Sequence, residues 1–364
     1  MSVGQQICRA RESIGLQQEK AAEHLGLEPD KLRAWEEGRE EPSFHELCDL
    51  GDLYGRSLDY FLRDIPPSAA PLRLRLREGR KELSPEGRRV RVEWEEFCRR
   101  RMELEGVVGA ARRISLPEYA SAKGPASTAQ AERKRLSLGE GPVENIREVL
   151  GQQGVYVFEI KLPVRTPEFS GCSQWHESYG PCILANAREP RGRRNFTMAH
   201  EYYHLLVHRG QAYSCAVEVL TDAGEERSAS RFAAAFLMTQ EGLATGLRMR
   251  QQRSQLESPK DYAPLATKWR VSVEALLYAL RDFSLLPRDE ADRLLREWTT
   301  TTQHVRWPKG KPRPTQWQRR LEHLGHGYTE AAVGAYREGR ISLSKLAEYL
   351  GMDIREARKA AEAP

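Results

Sequence analysis

One run in the chain has residue types and spacing that could do chemistry: His200-Glu201-Tyr202-Tyr203-His204, inside RRNFTMAHEYYHLLVHRG at 193–210. From Met198 to His208 the run holds no glycine or proline, so the spacing predicts a helix that starts near Asn195 or Thr197 as caps and stops at Gly210. On a helix, residues four apart lie on one face, one turn apart. Two imidazoles so placed can converge on one ion at the roughly 2.0–2.1 Å that zinc takes. Glu201 points to a neighbouring angle, where a carboxylate reaches a water beside the ion without ligating it, the position a general base needs. The same spacing also occurs on solvated helices, and two histidines do not complete a catalytic zinc site, which needs a third protein ligand and an open position.

The third ligand has candidates downstream, in GEERSASRFAAAFLM at 224–238. This is a helical pattern with Ala229, Phe232, Ala233 and Phe236 on one face, and both Glu225 and Glu226 fall in its first turn. Upstream, VENIREVLG reads as a helix, Gly154 as a break and VYVFEI as a strand, while SGCSQWHESYGPCILAN at 170–186 reads as two short strands about a turn at Tyr179–Gly180. CILAN, 182–186, is expected at the sheet edge, where an extended peptide could add by main-chain hydrogen bonds. His208, four residues beyond His204, is expected on the metal face. There it holds a carboxylate or tunes the site, unless it is only a helix-end residue. Tyr202 and Tyr203 are candidate oxyanion donors, one of them expected to pack instead. His176 is a weaker candidate for the cleft wall, and Cys215 for an oxidant sensor, against the plainer reading of a buried thiol.

These segments resemble the ImmA/IrrE-type zinc metallopeptidases over about residues 140–285. The family's second motif, E-x-x-A-[N/D]-x-F-A followed by L-L-M-P, aligns on Ala229, Phe232 and Ala233. The resemblance therefore implies Glu226 as the metal ligand, with Glu225 its neighbour. Ser230 stands where the family has Asn or Asp, and Thr239 where a proline usually follows, which puts local helix geometry at issue and leaves the ligands untouched. The resemblance implies a zincin-like (gluzincin) fold with a small sheet, and Zn2+ (or Mn2+) on His200, His204 and Glu226 with Glu201 as base. It also implies a narrow protein substrate, usually an XRE-type repressor whose cleavage releases a stress or mobile-element response.

The elements around this unit are helical. Residues 1–64 read as short helices with Gly15, Gly26 and Gly38 where they should stop. LQQEKAAEHLGLEPDKLRAWEEG is a helix-turn-helix pattern, burying Ala21, Ala22, Leu25, Leu32 and Trp35. With the run Trp35 to Ser43 it resembles the Cro/C1-type (XRE) repressor domain, a five-helix bundle. The resemblance places Gln17 on the DNA backbone and Asp30, Lys31 and Arg33 at the bases. Charge argues the other way: residues 1–64 hold eight Lys or Arg against fourteen Asp or Glu. Phosphate neutralisation supplies most non-specific DNA affinity, so docking of a protein partner, such as a repressor, or dimerisation is the competing reading. The domain could also itself be the cleaved target. IPPSAAP at 65–71 reads as a linker, and residues 72–113 are basic, thirteen Lys or Arg against eight Asp or Glu, with a helix expected over Val90–Val107. SAKGPASTAQ reads as a looser stretch. The tail repeats the helix-turn-helix idea, with Ser342 capping one helix and Asp353 opening another. The linker before it, with Lys309, Lys311, Arg313, Arg319 and Arg320, could touch nucleic acid or an acidic partner.

The expected architecture is thus α+β and mainly helical: an XRE-like unit at 1–64, a linker and basic helical connector at 65–139, a peptidase unit at 140–300, and a basic linker and helical tail at 301–364. Composition is that of a water-soluble chain, 40% hydrophobic and 30% charged, with a net charge of +5. No apolar run approaches the roughly 20 residues that span a bilayer, and the N-terminus lacks an apolar signal core. The chain reads as cytoplasmic, with six separate, reduced cysteines, no membrane partner and a homodimer in keeping with the bundle. The reading from another class is a DNA-binding transcriptional regulator whose zinc site is structural or sensory.

Overall fold

Five short helices open the chain: α1 (Val3–Ser13), α2 (Gln18–Leu25), α3 (Pro29–Glu36), α4 (Phe44–Tyr54) and α5 (Leu58–Leu62). The computed structural model describes residues 2–56, 58–62, 85–110, 112–162, 170–209, 212–215, 223–252, 255–300 and 314–363. Expectations for the 65–71 linker, for the basic run up to residue 84, for Lys309, Lys311 and Arg313, and for the Cys215 side chain lie outside what it describes. Gly26 closes α2 in the left-handed conformation, φ 64°, and lets the chain turn into α3. Ile7, Ala10, Ala21, Ala22, Leu32 and Trp35 form the bundle core. Arg11 grips Glu36 with two hydrogen bonds, of 2.6 and 2.8 Å, tying α1 to α3.

The long helix α6 (Pro85–Val108) follows, as the apolar spacing predicts. Its Val92 belongs to the N-terminal core, whereas Val90, Trp94, Phe97, Cys98 and Leu104 belong to another. Between the two, Glu96 is buried among Arg56 of the bundle and Arg99 and Arg100 of α6. SAKGPASTAQ is not loose: Gly124 and Pro125 start α7 (Pro125–Arg135), which packs on the later helix that carries Glu225 and Glu226. The Gly-Pro pair is a helix start, with proline at the first position, where its missing N–H costs nothing.

After α8 (Ile146–Gln152) come β1 (Tyr156–Ile160), β2 (Gly171–His176), β3 (Gly180–Asn186), α9 (Arg191–Val207), β4 (Ala212–Cys215) and α10 (Ala223–Leu237). The strands form one sheet in the order β1-β3-β2-β4, with β1 parallel to β3 and the other pairs antiparallel. CILAN is therefore an interior strand, not an edge. Its Cys182 and Leu184 face one core and its Ile183 and Ala185 the other, which requires cover on both faces.

The front face, with Val157, Ile183 and Ala185, packs under α9 and α10. Beyond it lie α11 (Gln240–Gln251), α12 (Ala263–Trp269), α13 (Val273–Asp282) and α14 (Arg288–Thr300). The back face, with Tyr156, Phe158, Cys182 and Leu184, is covered by α6 together with the C-terminal helices α15 (Gln316–Leu324), α16 (His326–Arg337), α17 (Leu343–Leu350) and α18 (Ile354–Glu362). Ser342 and Asp353 cap α17 and α18 as expected. Arg320 is committed to this packing, paired with Glu93 at 3.3 Å and stacked over Phe97. Among the described residues, no helix is long and apolar enough to cross a membrane.

Candidate metal centre

Helix α9 begins a turn earlier than its side chains suggested, with Pro190 at the cap and Arg191 as its first residue. Asn195 does not cap it. Its side chain instead donates to the Arg270 carbonyl at 2.8 Å, holding the left-handed residue that ends α12. The helix stops at Val207, with His208 as its C-cap, before the expected Gly210. His200, Glu201 and His204 are all buried in its last two turns.

The carboxylate of Glu226, in the first turn of α10, meets both imidazoles. Its Oε2 lies 3.1 Å from His200 Nε2 and its Oε1 3.7 Å from His204 Nε2. One ligand atom from each of the three falls within 4.8 Å of the others. Two ligands of a tetrahedral zinc stand about 3.4 Å apart, given bonds of about 2.1 Å, so two histidines and a carboxylate this close are a donor set suited to a metal ion. Glu225 points elsewhere, its carboxylate 3.7 Å from His208 Nε2.

The far nitrogens of both histidines are also held. Ser230 Oγ lies 3.3 Å from His200 Nδ1, and His208 Nδ1 lies 3.1 Å from His204 Nδ1. Such partners fix ring orientation and leave each Nε2 aimed at the common point. Burial lowers the pKa of His208, against the opposing pull of Glu225 and Glu226, and so favours its neutral ring. Ser230, noted in the sequence only as a departure from the family pattern, thus touches a metal-facing histidine.

Glu201 is fully buried, and Ser173 of β2 donates to its Oε2 at 2.7 Å. Gly171, Ser173 and Trp175 alternate along the face of β2 that meets α9. Trp175 Nε1 donates to the Leu205 carbonyl at 2.9 Å. A Cβ at Gly171 would fall 2.4 Å from Thr197 Cγ2, so only glycine lets the helix sit this close. Ser173 was missed from sequence. The signal available was the period of two that places Gly171, Ser173 and Trp175 on one face.

Tyr202 is the one of the pair that packs: it donates to the buried carboxylate of Glu132 at 2.6 Å. Tyr203 is buried, its ring edge-on to His208, and its hydroxyl is bonded by Ser228; burial raises its pKa. His176 ends β2 with its Nδ1 accepting from the backbone N–H groups of Ser178 and Tyr179 and its ring stacked on Tyr179, so it shapes the hairpin turn.

Residues 150–281 match the family model of the IrrE N-terminal-like domain, Peptidase_M78, and residues 2–60 that of a helix-turn-helix domain. The chain is a helix-turn-helix domain fused to an ImmA/IrrE-type domain. No curated protein matches the chain. The match over 150–281 suggests a metallopeptidase, and the metal-capable group of His200, His204 and Glu226 lies inside it. The helix-turn-helix match, of the XRE type, supports DNA binding. On that unit Gln17, Asp30, Lys31 and Arg33 are all exposed. The basic residues of α3 carry acidic partners: Arg33 pairs with Asp30 at 2.9 Å and Lys31 with Glu46 at 2.6 Å.

Proposed function

We propose that the chain is a zinc-dependent endopeptidase that cleaves one specific protein, an XRE-type repressor, and so releases a stress or mobile-element response in the cytoplasm. The observation that carries this reading is the meeting of His200, His204 and Glu226 from two helices beside the buried, braced carboxylate of Glu201. The three side chains would hold the ion. When bound, zinc supplies Lewis acidity toward water and toward a peptide carbonyl. Glu201 takes the proton from water as its oxygen attacks the carbonyl carbon, then returns it to the amide nitrogen as the C–N bond breaks. Ser173 fixes the rotamer of that carboxylate, while Ser230 and His208 hold the two imidazoles in register. The helix-turn-helix unit brings the peptidase to DNA or to a repressor of related fold.

Glu201→Gln tests this. The change keeps shape and spares the three ligands, so folding and zinc content should stay near wild type. A general base contributes about 10²–10⁴-fold, so cleavage of the partner repressor should fall by at least that order and derepression in cells should fail. Full derepression by zinc-loaded Glu201→Gln would leave a regulator with a structural or sensory metal site, and no peptidase.

A further inference from the structure

A cavity of about 1130 Å³ lies between α9, α10 and α13, up to the start of α14. Three helices wall it, each with one stripe. From α9 come Arg193 and Phe196, on the face that continues to His200 one turn later. From α10 come Arg227, Ser230, Arg231 and Ala234, spaced as a single helical face. From α13 come Ala275, Tyr278 and Arg281. Ser230 belongs both to this wall and to the site, through its contact with His200 Nδ1 at 3.3 Å. The cavity therefore meets the metal-facing group through Ser230, on the Nδ1 side of His200.

Its chemistry is uneven. Phe196, Ala234, Tyr278 and Leu285 make an apolar floor, and Tyr278 is 42% exposed. The walls hold five arginines, at 193, 227, 231, 281 and 288, against two carboxylates, Glu274 and Asp282, an excess of three positive charges. Asp282 is already bonded to Arg281, and Arg193 to Glu189. Arg231 of α10 and Arg288, the first residue of α14, stand exposed. Small-molecule pockets run to about 1,000 Å³, so the volume suits several residues of an extended chain. A cationic wall over an apolar floor selects an acidic segment and repels a basic one.

Resting on the peptidase reading, we propose that this cavity is a recognition subsite of the substrate, and that it takes an acidic segment bearing an aromatic or large apolar side chain. The apolar side chain lies on Phe196 and Tyr278, and the flanking carboxylates meet Arg231 and Arg288. Specificity for one protein then comes from charge as well as fit.

The test uses the full-length, zinc-loaded Glu201→Gln protein and fluorescence anisotropy, so that binding is read without cleavage. The probe is a fluorescein-labelled peptide with a phenylalanine flanked by glutamates, set against the same peptide with glutamines. The glutamate peptide should bind about tenfold tighter, and the double change Arg231→Glu/Arg288→Glu should abolish that preference, since each reversal replaces an attraction by a repulsion. Raising salt to about 0.5 M should shrink the preference in the parent protein, a check that needs no folded variant. Tyr278→Ala should weaken both peptides alike. Equal binding of the two peptides, or a preference that survives both the double change and high salt, overturns the proposal. A parent chain that shows the preference but, with Glu201 intact, cleaves no repressor keeps the subsite and sinks the peptidase reading. A chain that cleaves without the preference does the reverse.

Discussion

Replacing Gly171 by alanine tests how the base is positioned. The backbone of this residue lies outside the left-handed region, so alanine adds no backbone strain and the whole effect is spatial. Its Cβ would fall 2.4 Å from Thr197 Cγ2, 3.0 Å from the Leu184 carbonyl oxygen and 3.3 Å from Glu201 Cγ. Carbon atoms sit comfortably at about 3.5–4.0 Å, so the worst contact is short by about an ångström. Thr197 is buried within α9 and β-branched, hence stiff at χ1. The relief must come from α9 backing off the sheet, which carries Glu201 and both histidines with it. Overpacking of this kind costs about 1–3 kcal/mol of stability, and a misplacement near 1 Å costs on the order of 10²-fold in rate. Urea denaturation, zinc competition against a chelator and repressor cleavage would measure the three consequences. Thr197→Ser removes the offending methyl and keeps the hydroxyl that bonds Glu189. The double variant should therefore recover at least half of each loss. Wild-type stability and zinc affinity in Gly171→Ala, or no coupling to Thr197→Ser, would refute the account of how helix and sheet meet.

Three further outcomes are expected. Glu226→Ala should strip the metal, whereas Glu225→Ala, whose carboxylate faces His208, should retain it; equal zinc content by elemental analysis would break the assignment. If α3 enters the major groove, Arg33→Ala should lose about 1–3 kcal/mol of sequence-specific DNA affinity. Asp30→Asn should gain affinity, by removing a negative charge that pairs with Arg33; shifts of the opposite sign in salt-controlled anisotropy would point to protein docking instead. Burial alone would raise the pKa of Glu96, but Arg100, Arg99 and Arg56 prevail and hold it at about 2, down from 4.5. A folded pKa below the unfolded one stabilises above pH 4.5, and that contribution drains as pH falls toward 2. At about 1.4 kcal/mol per unit it amounts to about 3 kcal/mol. The gap in urea stability between wild type and Glu96→Gln should thus close between pH 5 and pH 2, and a gap that stays constant would contradict it.

What the sequence disclosed follows the range of the forces involved. His200, Glu201 and His204 sit within one helical turn, so local periodicity placed them together. The helix-turn-helix unit was readable for the same reason, from Gly26 and from Trp35 through Ser43. Both Glu225 and Glu226 fall in the first turn of α10, so the choice of Glu226 rested on the resemblance to the family's motif, aligned on Ala229, Phe232 and Ala233. CILAN is interior rather than at the edge expected of it, and its uninterrupted apolar run is the mark of a strand covered on both faces. β4 left no legible pattern in its four residues, and α7 hid behind Gly124 and Pro125. The back of the sheet was not foreseeable: Phe97 meets Phe158 and Tyr328 through contacts between residues far apart in the chain, which no local pattern encodes. Ser173, beside Glu201, and Ser230, beside His200, escaped notice, because a hydroxyl gains its meaning from the carboxylate or imidazole that the fold brings to it.

The two-sided sheet has a practical consequence for anyone dissecting the chain. The stretch that matches the peptidase family, 150–281, contains the metal-capable group and Glu201 but only half the cover of its own strands. Cut out at those borders, it would present Tyr156, Phe158, Cys182 and Leu184 to water, an oily plate formerly shielded by α6 and by helices from the last fifty residues. Such a fragment is expected to stick to itself before it meets any substrate. Loss of activity on trimming either end would then record a bared surface, so the smallest piece worth assaying keeps the connector and the tail.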